Sequence, residues 1–301
     1  MEKFVTIPIP KVIQDARIGS VFNELFTVIN YTEAANTEGI IWDFSDVTFL
    51  HPFFIAPLAL YKRNCWLNIK CSHINSQIND YFNLIHFEDI FDISSDEEIA
   101  VLKSYENKSY IPICSIDANA DNIDQWQSFL QTIIQKQTGY ENRLTNPIAY
   151  TLSELICNVT QHAKSKKAYL FSQYLEREES LCICIADNGI GIYASYVETQ
   201  KYLDIIGQDE AIALKMANEG FSTKDLPDAE NRGFGISRTK NMLVKGLGGA
   251  FFMLSGSAFH RFNVQGSNYI NLPKSINWNG TIVLLRIPLT PNKNFNFYNY
   301  I

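Results

Sequence analysis

Four short polar and glycine-rich segments in the second half of the chain constrain its fold most strongly. In chain order they are Glu154-x-x-x-Asn158-x-x-x-His162, Asp187-Asn-Gly189-Ile-Gly191, Arg232-Gly233-Phe-Gly235 and Gly280-Thr281. Each is weak evidence alone, because glycine pairs usually mark turns. Their order and spacing supply the specificity. The segments between them show helical and strand periodicities in turn, which predicts an α/β domain.

The first motif predicts a helix that offers three polar side chains to one cleft. Asn146-Pro147 is a strong helix start, since asparagine caps free backbone donors and proline is tolerated in the first turn. Glu154, Asn158 and His162 follow at intervals of four, so they share one side of the helix. The other side is a predicted core stripe of Ile148, Leu152, Leu155, Ile156 and Val159. Taken alone, an ordinary amphipathic helix with a solvated polar face also explains the pattern.

The remaining motifs sit at the ends of predicted strands and helices. Segments 168–175 and 181–186 predict two strands, and the second runs directly into Asp187. A polar loop over 221–231 precedes the third motif, and long polar loops in compact domains are often lids. The third motif opens a predicted helix whose free N–H groups suit phosphate oxygens. Segment 280–288 predicts the last strand.

Together the four motifs resemble the nucleotide-binding boxes of the GHKL superfamily. That superfamily includes gyrase B, the ninety-kilodalton heat-shock chaperones, sensor histidine kinases, bacterial anti-sigma serine kinases and MutL. The resemblance extends over roughly residues 120–290. It implies a two-layer α/β sandwich, with helices on a mixed sheet, that binds ATP and Mg²⁺.

The resemblance also implies a role for each polar residue of the first two motifs. Glu154 would be the general base that accepts a proton as a nucleophile attacks the γ-phosphate. Asn158 would be the Mg²⁺ ligand, since an amide oxygen is a suitable hard ligand. Asp187 would accept the adenine amino hydrogen, with Gly189 and Gly191 forming the loop around the base.

The third and fourth motifs would complete the pocket. Gly233 and Gly235 would hold the triphosphate, and Thr281 would support the carboxylate that reads adenine. Lys224 and Arg232 are candidates to balance phosphate charge, although loop residues kept for solubility explain them as well. Two interpretations of His162 stay open: it contacts phosphate, or it is a surface imidazole at the end of its helix.

A second resemblance lies in the first half of the chain. The segment Asp43-Phe-Ser-Asp46-Val-Thr-Phe-Leu50 predicts a strand end and a turn, with a helix to follow, and it resembles the central strand and turn of STAS domains. That family carries a phosphoacceptor serine after the turn, whereas this chain has His51-Pro52-Phe53. A docking or positioning role is therefore favoured over a phosphorylation switch. Any small α/β domain with a buried strand also fits. We expect a STAS-like domain over 1–110 and a GHKL domain over 111–301.

Composition excludes some classes of partner. A content of 46% hydrophobic residues supports a large buried core. No apolar run approaches the ~20 residues that span a bilayer, and the start lacks a signal-peptide layout, so we expect a cytoplasmic protein without a membrane partner. Residues 1–110 hold 8 Lys+Arg against 15 Asp+Glu, which disfavours nucleic acid. The six cysteines show no CxxC pair and are expected to be reduced thiols.

The sequence before and after the motifs narrows the range of expected functions. About a dozen residues follow the last predicted strand, too few for the second domain that supplies a catalytic lysine in gyrase B, MutL and the chaperones. Segment 111–150 contains no histidine, which disfavours histidine autophosphorylation. We expect a bacterial-type signalling ATPase or serine/threonine kinase that acts on a protein partner, such as a STAS-type regulator or a protein encoded nearby. An ATP-dependent switch without turnover is the alternative, and homodimerisation stays open.

Overall fold

The computed structural model shows a mixed α/β protein with helices packed on a mixed sheet. It describes residues 4–11, 18–37, 39–92, 96–117, 123–138, 142–162, 165, 167–223, 234–289 and 294–300. Within these ranges, no helix is both long and apolar enough to cross a membrane. The α/β class expected from the sequence is confirmed.

The first part of the chain forms a small α/β module. Its elements are β1 Phe4–Pro8, α1 Ile18–Ala34, β2 Gly39–Asp43, α2 Pro52–Asn64, β3 Asn68–Ser72 and α3 Ser76–Ile85. The three strands are parallel and lie in the order β1-β2-β3, each followed by a helix, as crossover connections require. The predicted strand at Gly39, the turn at Ser45-Asp46 and the helix after it are confirmed.

The second part is built on a sheet of eight strands. They are β4 Phe91–Asp92, β5 Tyr110–Asp117, β6 Lys167–Leu175, β7 Ser180–Asp187, β8 Ala250–Gly256, β9 Ala258–Asn263, β10 Gly266–Asn271 and β11 Trp278–Pro288. Their order across the sheet is β10-β9-β8-β11-β7-β6-β5-β4. Strands β4 and β5 are parallel and the six other neighbouring pairs named in this order are antiparallel, so the sheet is mixed.

Helices cover one face of this sheet. They are α4 Asp96–Leu102, α5 Ile123–Thr138, α6 Asn142–His162, α7 Gly191–Thr199, α8 Leu203–Ile206, α9 Glu210–Glu219 and α10 Phe234–Asn241, which continues as a π-helical turn, Met242–Gly246. Short 3₁₀ turns lie at Lys103–Tyr105, Glu176–Glu178 and Phe297–Asn299. Apolar side chains of α5, α6 and α9 share one core with this face of the sheet.

The small module covers the other face of the sheet. Helix α2 is apolar on every side, which is typical of a helix buried all round, and residues 52–60 are all buried. It lies between its own sheet, where Tyr61 stacks on Trp42 at 6.3 Å, and strands β6 and β7. Phe53 of α2 also contacts Phe252 of β8, with 6.5 Å between ring centroids. The two sheets therefore share one continuous core.

Strand β7 is the centre of the whole arrangement because every one of its residues is buried. Side chains alternate between the two faces of a strand. Leu181 and Ile183 enter the core beneath the helices, whereas Cys182 and Cys184 enter the core shared with the small module. Burial on both faces explains why segment 181–186 is an uninterrupted apolar run. All six cysteines are free thiols.

Two local expectations need revision. Helix α6 begins at Asn142 rather than at Asn146, so Pro147 lies inside its first turns and removes one backbone hydrogen bond there. Strand β9 was not expected as a separate element. The expected domain boundary at residue 110 coincides with the start of the buried strand β5. The boundary at residue 110 stays a prediction, since β4 precedes it and belongs to the same sheet as β5.

The shared core predicts that both parts unfold together. Phe252→Ala should lower the free energy of unfolding by about 3–5 kcal/mol, because it removes a buried ring of β8 that packs on Phe53 of α2. Urea titrations followed by tryptophan fluorescence and by far-ultraviolet circular dichroism should give coincident transitions for the wild type and the variant. Val264→Ala is the control, because its side chain is 74% exposed. Two separate transitions would contradict a shared core.

Candidate functional site

The second motif begins with a buried carboxylate at the end of the central strand. Asp187 is the last residue of β7 and is 2% exposed. Its Oδ1 atom accepts a hydrogen bond from the N–H of Gly189 at 2.8 Å, and the backbone N–H of Thr281 also donates to the carboxylate. Burial raises the pKa of Asp187 to about 6, against the opposing effect of these two donors. An ionised carboxylate can accept more than two hydrogen bonds, so a ligand amino group could donate a further one to Asp187.

The fourth motif lies directly against this carboxylate. Gly280 has a φ of 112°, which favours glycine, and a Cβ at this position would lie 2.2 Å from the carbonyl oxygen of Asp187 and 2.7 Å from its Oδ1. The indole Nε1–H of Trp278 donates to the same carbonyl oxygen at 2.8 Å. The second and fourth motifs, 93 residues apart between Asp187 and Gly280, thus form one site.

Ser255 on β8 joins the two motifs and was missed from the sequence. Its Oγ accepts the N–H of Ile192 at 2.9 Å, donates to the carbonyl of Gly280 at 2.9 Å and lies 3.2 Å from Oγ1 of Thr281. A Cβ at Gly191 would lie 3.1 Å from the same Oγ, and the φ of 75° there again favours glycine. The available signal was a polar residue inside an apolar strand. Nothing in the sequence indicated its partners.

The first and third motifs also meet. Gly235 lies in the first turn of α10, and a Cβ at this position would lie 1.7 Å from Oε2 of Glu154 on α6. Glycine at 235 therefore leaves the space that the Glu154 carboxylate occupies. The Nδ2 group of Asn158 donates to the carbonyl of Glu154 at 2.6 Å, which directs its Oδ1 atom, the type of ligand that Mg²⁺ accepts, away from the helix backbone.

Both contacts, Asp187 with Gly280 and Glu154 with Gly235, lie on the face of the sheet that the helices cover. Asp187 follows the same alternation along β7 as Ile183 and Ile185, which pack with Leu152 and Ile156 of α6. Beyond the end of α6, the hydroxyl of Ser165 donates to Oδ1 of Asn188 at 3.0 Å. The carboxylate of Asp187 and the polar side of α6 are thus presented to the same side of the molecule.

Four of the expected site groups lie outside the described residues. Lys224, Arg232 and Gly233 lie outside the described residues, as does the side chain of His162, whose backbone ends α6. Among the residues that are described, no three His, Cys, Asp or Glu side chains gather as a metal cluster. A cation that arrives with ATP needs few protein ligands, because phosphates and water fill most of its shell.

A separate cleft of about 420 Å³ lies between the two parts of the protein. Its walls include Phe49, Tyr81 and Leu175, and the hydroxyl of Tyr81 donates to Oε1 of Gln173 at 2.9 Å. Leu175 is seven residues along β6 from Ala168, the partner of Asp187, which corresponds to roughly 23 Å. This cleft is distinct from the contact between Asp187 and Gly280.

Comparison with protein-family models and with curated proteins found no match for the sequence. The GHKL and STAS resemblances therefore stay predictions that rest on the motifs. The geometry adds that these motifs, far apart in the sequence, pack in pairs. Asp187 meets Gly280, and Glu154 meets Gly235.

Gly280→Ala tests the close approach to Asp187. A positive φ costs a non-glycine residue roughly 1–2 kcal/mol, and the overlap with Asp187 adds to this, so we expect a loss of at least about 3 kcal/mol in unfolding free energy. Gly266→Ala is the matched control, because Gly266 has a φ of 137° and open space around it. Urea denaturation of both variants measures the difference. Equal losses would mean that the contact with Asp187 contributes nothing.

Proposed function

We propose that the chain binds Mg-ATP as a GHKL-type nucleotide-binding protein. The observation that carries this proposal is the buried carboxylate of Asp187, enclosed by backbone N–H groups of Gly189 and Thr281 and by the Cβ-free surface of Gly280. The pairing of Glu154 with Gly235 on the same face of the sheet supports it further.

In this proposal Asp187 reads the base. An ionised carboxylate is an acceptor only, so it pairs with the amino group of adenine and repels the carbonyl oxygen that guanine carries at the same position. Gly189 and Gly191 let the backbone approach the ring, and Thr281 supports the carboxylate. Selection of adenine over guanine then follows from a single buried charge.

The chemistry would be done at the other end of the nucleotide. Glu154 accepts a proton from the attacking oxygen, which belongs to water or to a serine or threonine of a partner protein. That oxygen bonds to the γ-phosphorus as the bond to the bridging oxygen breaks, and ADP leaves. Asn158 would hold Mg²⁺, Gly233 and Gly235 would allow the triphosphate to reach backbone N–H groups, and Lys224 and Arg232 would balance its charge.

The small module supports a signalling context of the STAS-like kind. His51, at the position of the family's phosphoacceptor region, is fully buried and caps α2 by accepting the N–H of Phe53 at 3.2 Å. We infer a module that positions the sheet rather than one that receives phosphate. A cytoplasmic ATPase or serine/threonine kinase acting on a protein partner is the function that this combination favours.

Glu154→Gln separates binding from turnover. We expect calorimetry to show Mg-ATP binding within about threefold of the wild type, and phosphate release to fall by at least about 100-fold, because the amide cannot accept the proton. Proteins encoded nearby should also be added to the phosphate-release reactions, and the transfer of phosphate to them should be measured. Binding without release in the wild type would assign the site to a conformational switch, and no binding would refute the proposal.

The raised pKa of Asp187 predicts pH-dependent binding of the base. Only the ionised form accepts the amino hydrogen, so adenosine affinity should fall about tenfold for each pH unit below about 6. Adenosine is chosen because it has no titrating phosphate. The variant Asp187→Asn should bind more weakly and show a flat profile from pH 7 to 5. A wild-type profile that is equally flat would remove Asp187 from the base site.

A further inference from the structure

The C-terminal segment 294–300 folds back onto the helical layer. Phe295 lies against the π-helical turn that continues α10, where a Cβ at Gly246 would be 2.7 Å from its ring. Tyr300 stacks on Phe295, with 6.0 Å between centroids and 22° between ring planes. The segment is therefore anchored at the end of the helix that carries Gly235.

The same segment reaches the helix that carries Glu154. Phe297 meets Tyr150 of α6 edge-on, with 6.2 Å between ring centroids and 72° between planes. Tyr150 lies one helical turn before Glu154. The neighbouring ring of Tyr298 is 74% exposed and meets Phe297 edge-on, with 5.7 Å between ring centroids.

Tyr150 in turn links α6 to α10. Its hydroxyl hydrogen-bonds with Arg238 of α10, and it lies close enough to Glu154 to sense that charge. Burial, followed by the charge of Glu154, raises the pKa of Tyr150, whereas Arg238 opposes the rise. Tyr150, Arg238 and Glu154 thus lie together where α6 contacts α10, and Phe297 packs on the ring of Tyr150.

We propose that Tyr150 and Arg238 are positioning residues for Glu154, and that the C-terminal segment holds Tyr150 in place through Phe297. The bond between Tyr150 and Arg238 fixes α6 relative to α10, and hence the Glu154 carboxylate relative to the space beside Gly235. This inference rests on the proposed function, because it assigns to Glu154 a geometry that phosphoryl transfer requires. Neither residue is assigned a contact with the nucleotide.

Kinetics of four variants of the protein test the proposal. Tyr150→Phe and Phe297→Ala should each lower kcat for phosphate release roughly tenfold while the Kd for Mg-ATP stays within twofold, because displacement of a reacting group affects turnover more than binding. Phe297→Tyr keeps a ring at this position and should restore kcat. Val264→Ala is the control, because its side chain is 74% exposed, and it should leave both constants unchanged. Wild-type kcat in both Tyr150→Phe and Phe297→Ala would overturn the proposal.

A measurement without nucleotide distinguishes this inference from the proposed function. The ¹³C carboxyl resonance of Glu154, identified by its loss in Glu154→Gln, should move in Tyr150→Phe and Phe297→Ala and stay in place in Val264→Ala. An unmoved resonance in the first two variants would overturn the positioning role even if Mg-ATP binds. Failure of the wild type to bind Mg-ATP would instead refute the proposed function, together with the catalytic role of Glu154 that the inference needs.

Discussion

Burial of strand β7 on both faces is the constraint on which the rest of the structure depends. One face receives the helices and the other receives α2 of the small module, so β7 cannot shift along its neighbours without exposing one set of apolar side chains. This fixes the position of Asp187 at its end, and the antiparallel pairing with β11 brings Gly280 and Thr281 beside it. The candidate base site is thus a consequence of sheet register.

Burial on two sides also explains where helix α2 of the small module packs. A helix that is apolar on every side cannot face solvent, and α2 is covered by its own sheet and by the larger one. His51 at its start is fully buried, and burial together with the charge of Arg286 lowers its pKa to about 4. The imidazole is therefore neutral at physiological pH, as a group between two packed layers must be. A partner that needed this helix end would have to separate the two layers first.

Periodicity in the sequence predicted much of this fold and part of the site. The apolar run of β7 and the stripe of α6 were recognisable because each follows one period over many residues. The start of α6 was misplaced, since a proline signal was taken as the helix start when the helix begins four residues earlier, at Asn142. Ser255 and Trp278 were missed for another reason. Their hydrogen bonds join strands distant in sequence, and no local pattern encodes such partners.

Glycines of two motifs have a reason beyond turn formation, because each stands where an oxygen atom of an acidic residue occupies the place of a Cβ. Gly280 admits Asp187, and Gly235 admits Glu154. Gly256 does the same for Glu210, which accepts the N–H of Ser257 at the end of β8. A glycine near a candidate phosphate site is usually explained by its contact with the ligand. Here the packing of acidic residues is a second, independent demand for glycine, so the positions of these glycines reflect the architecture of the protein as well as the nucleotide it is proposed to hold.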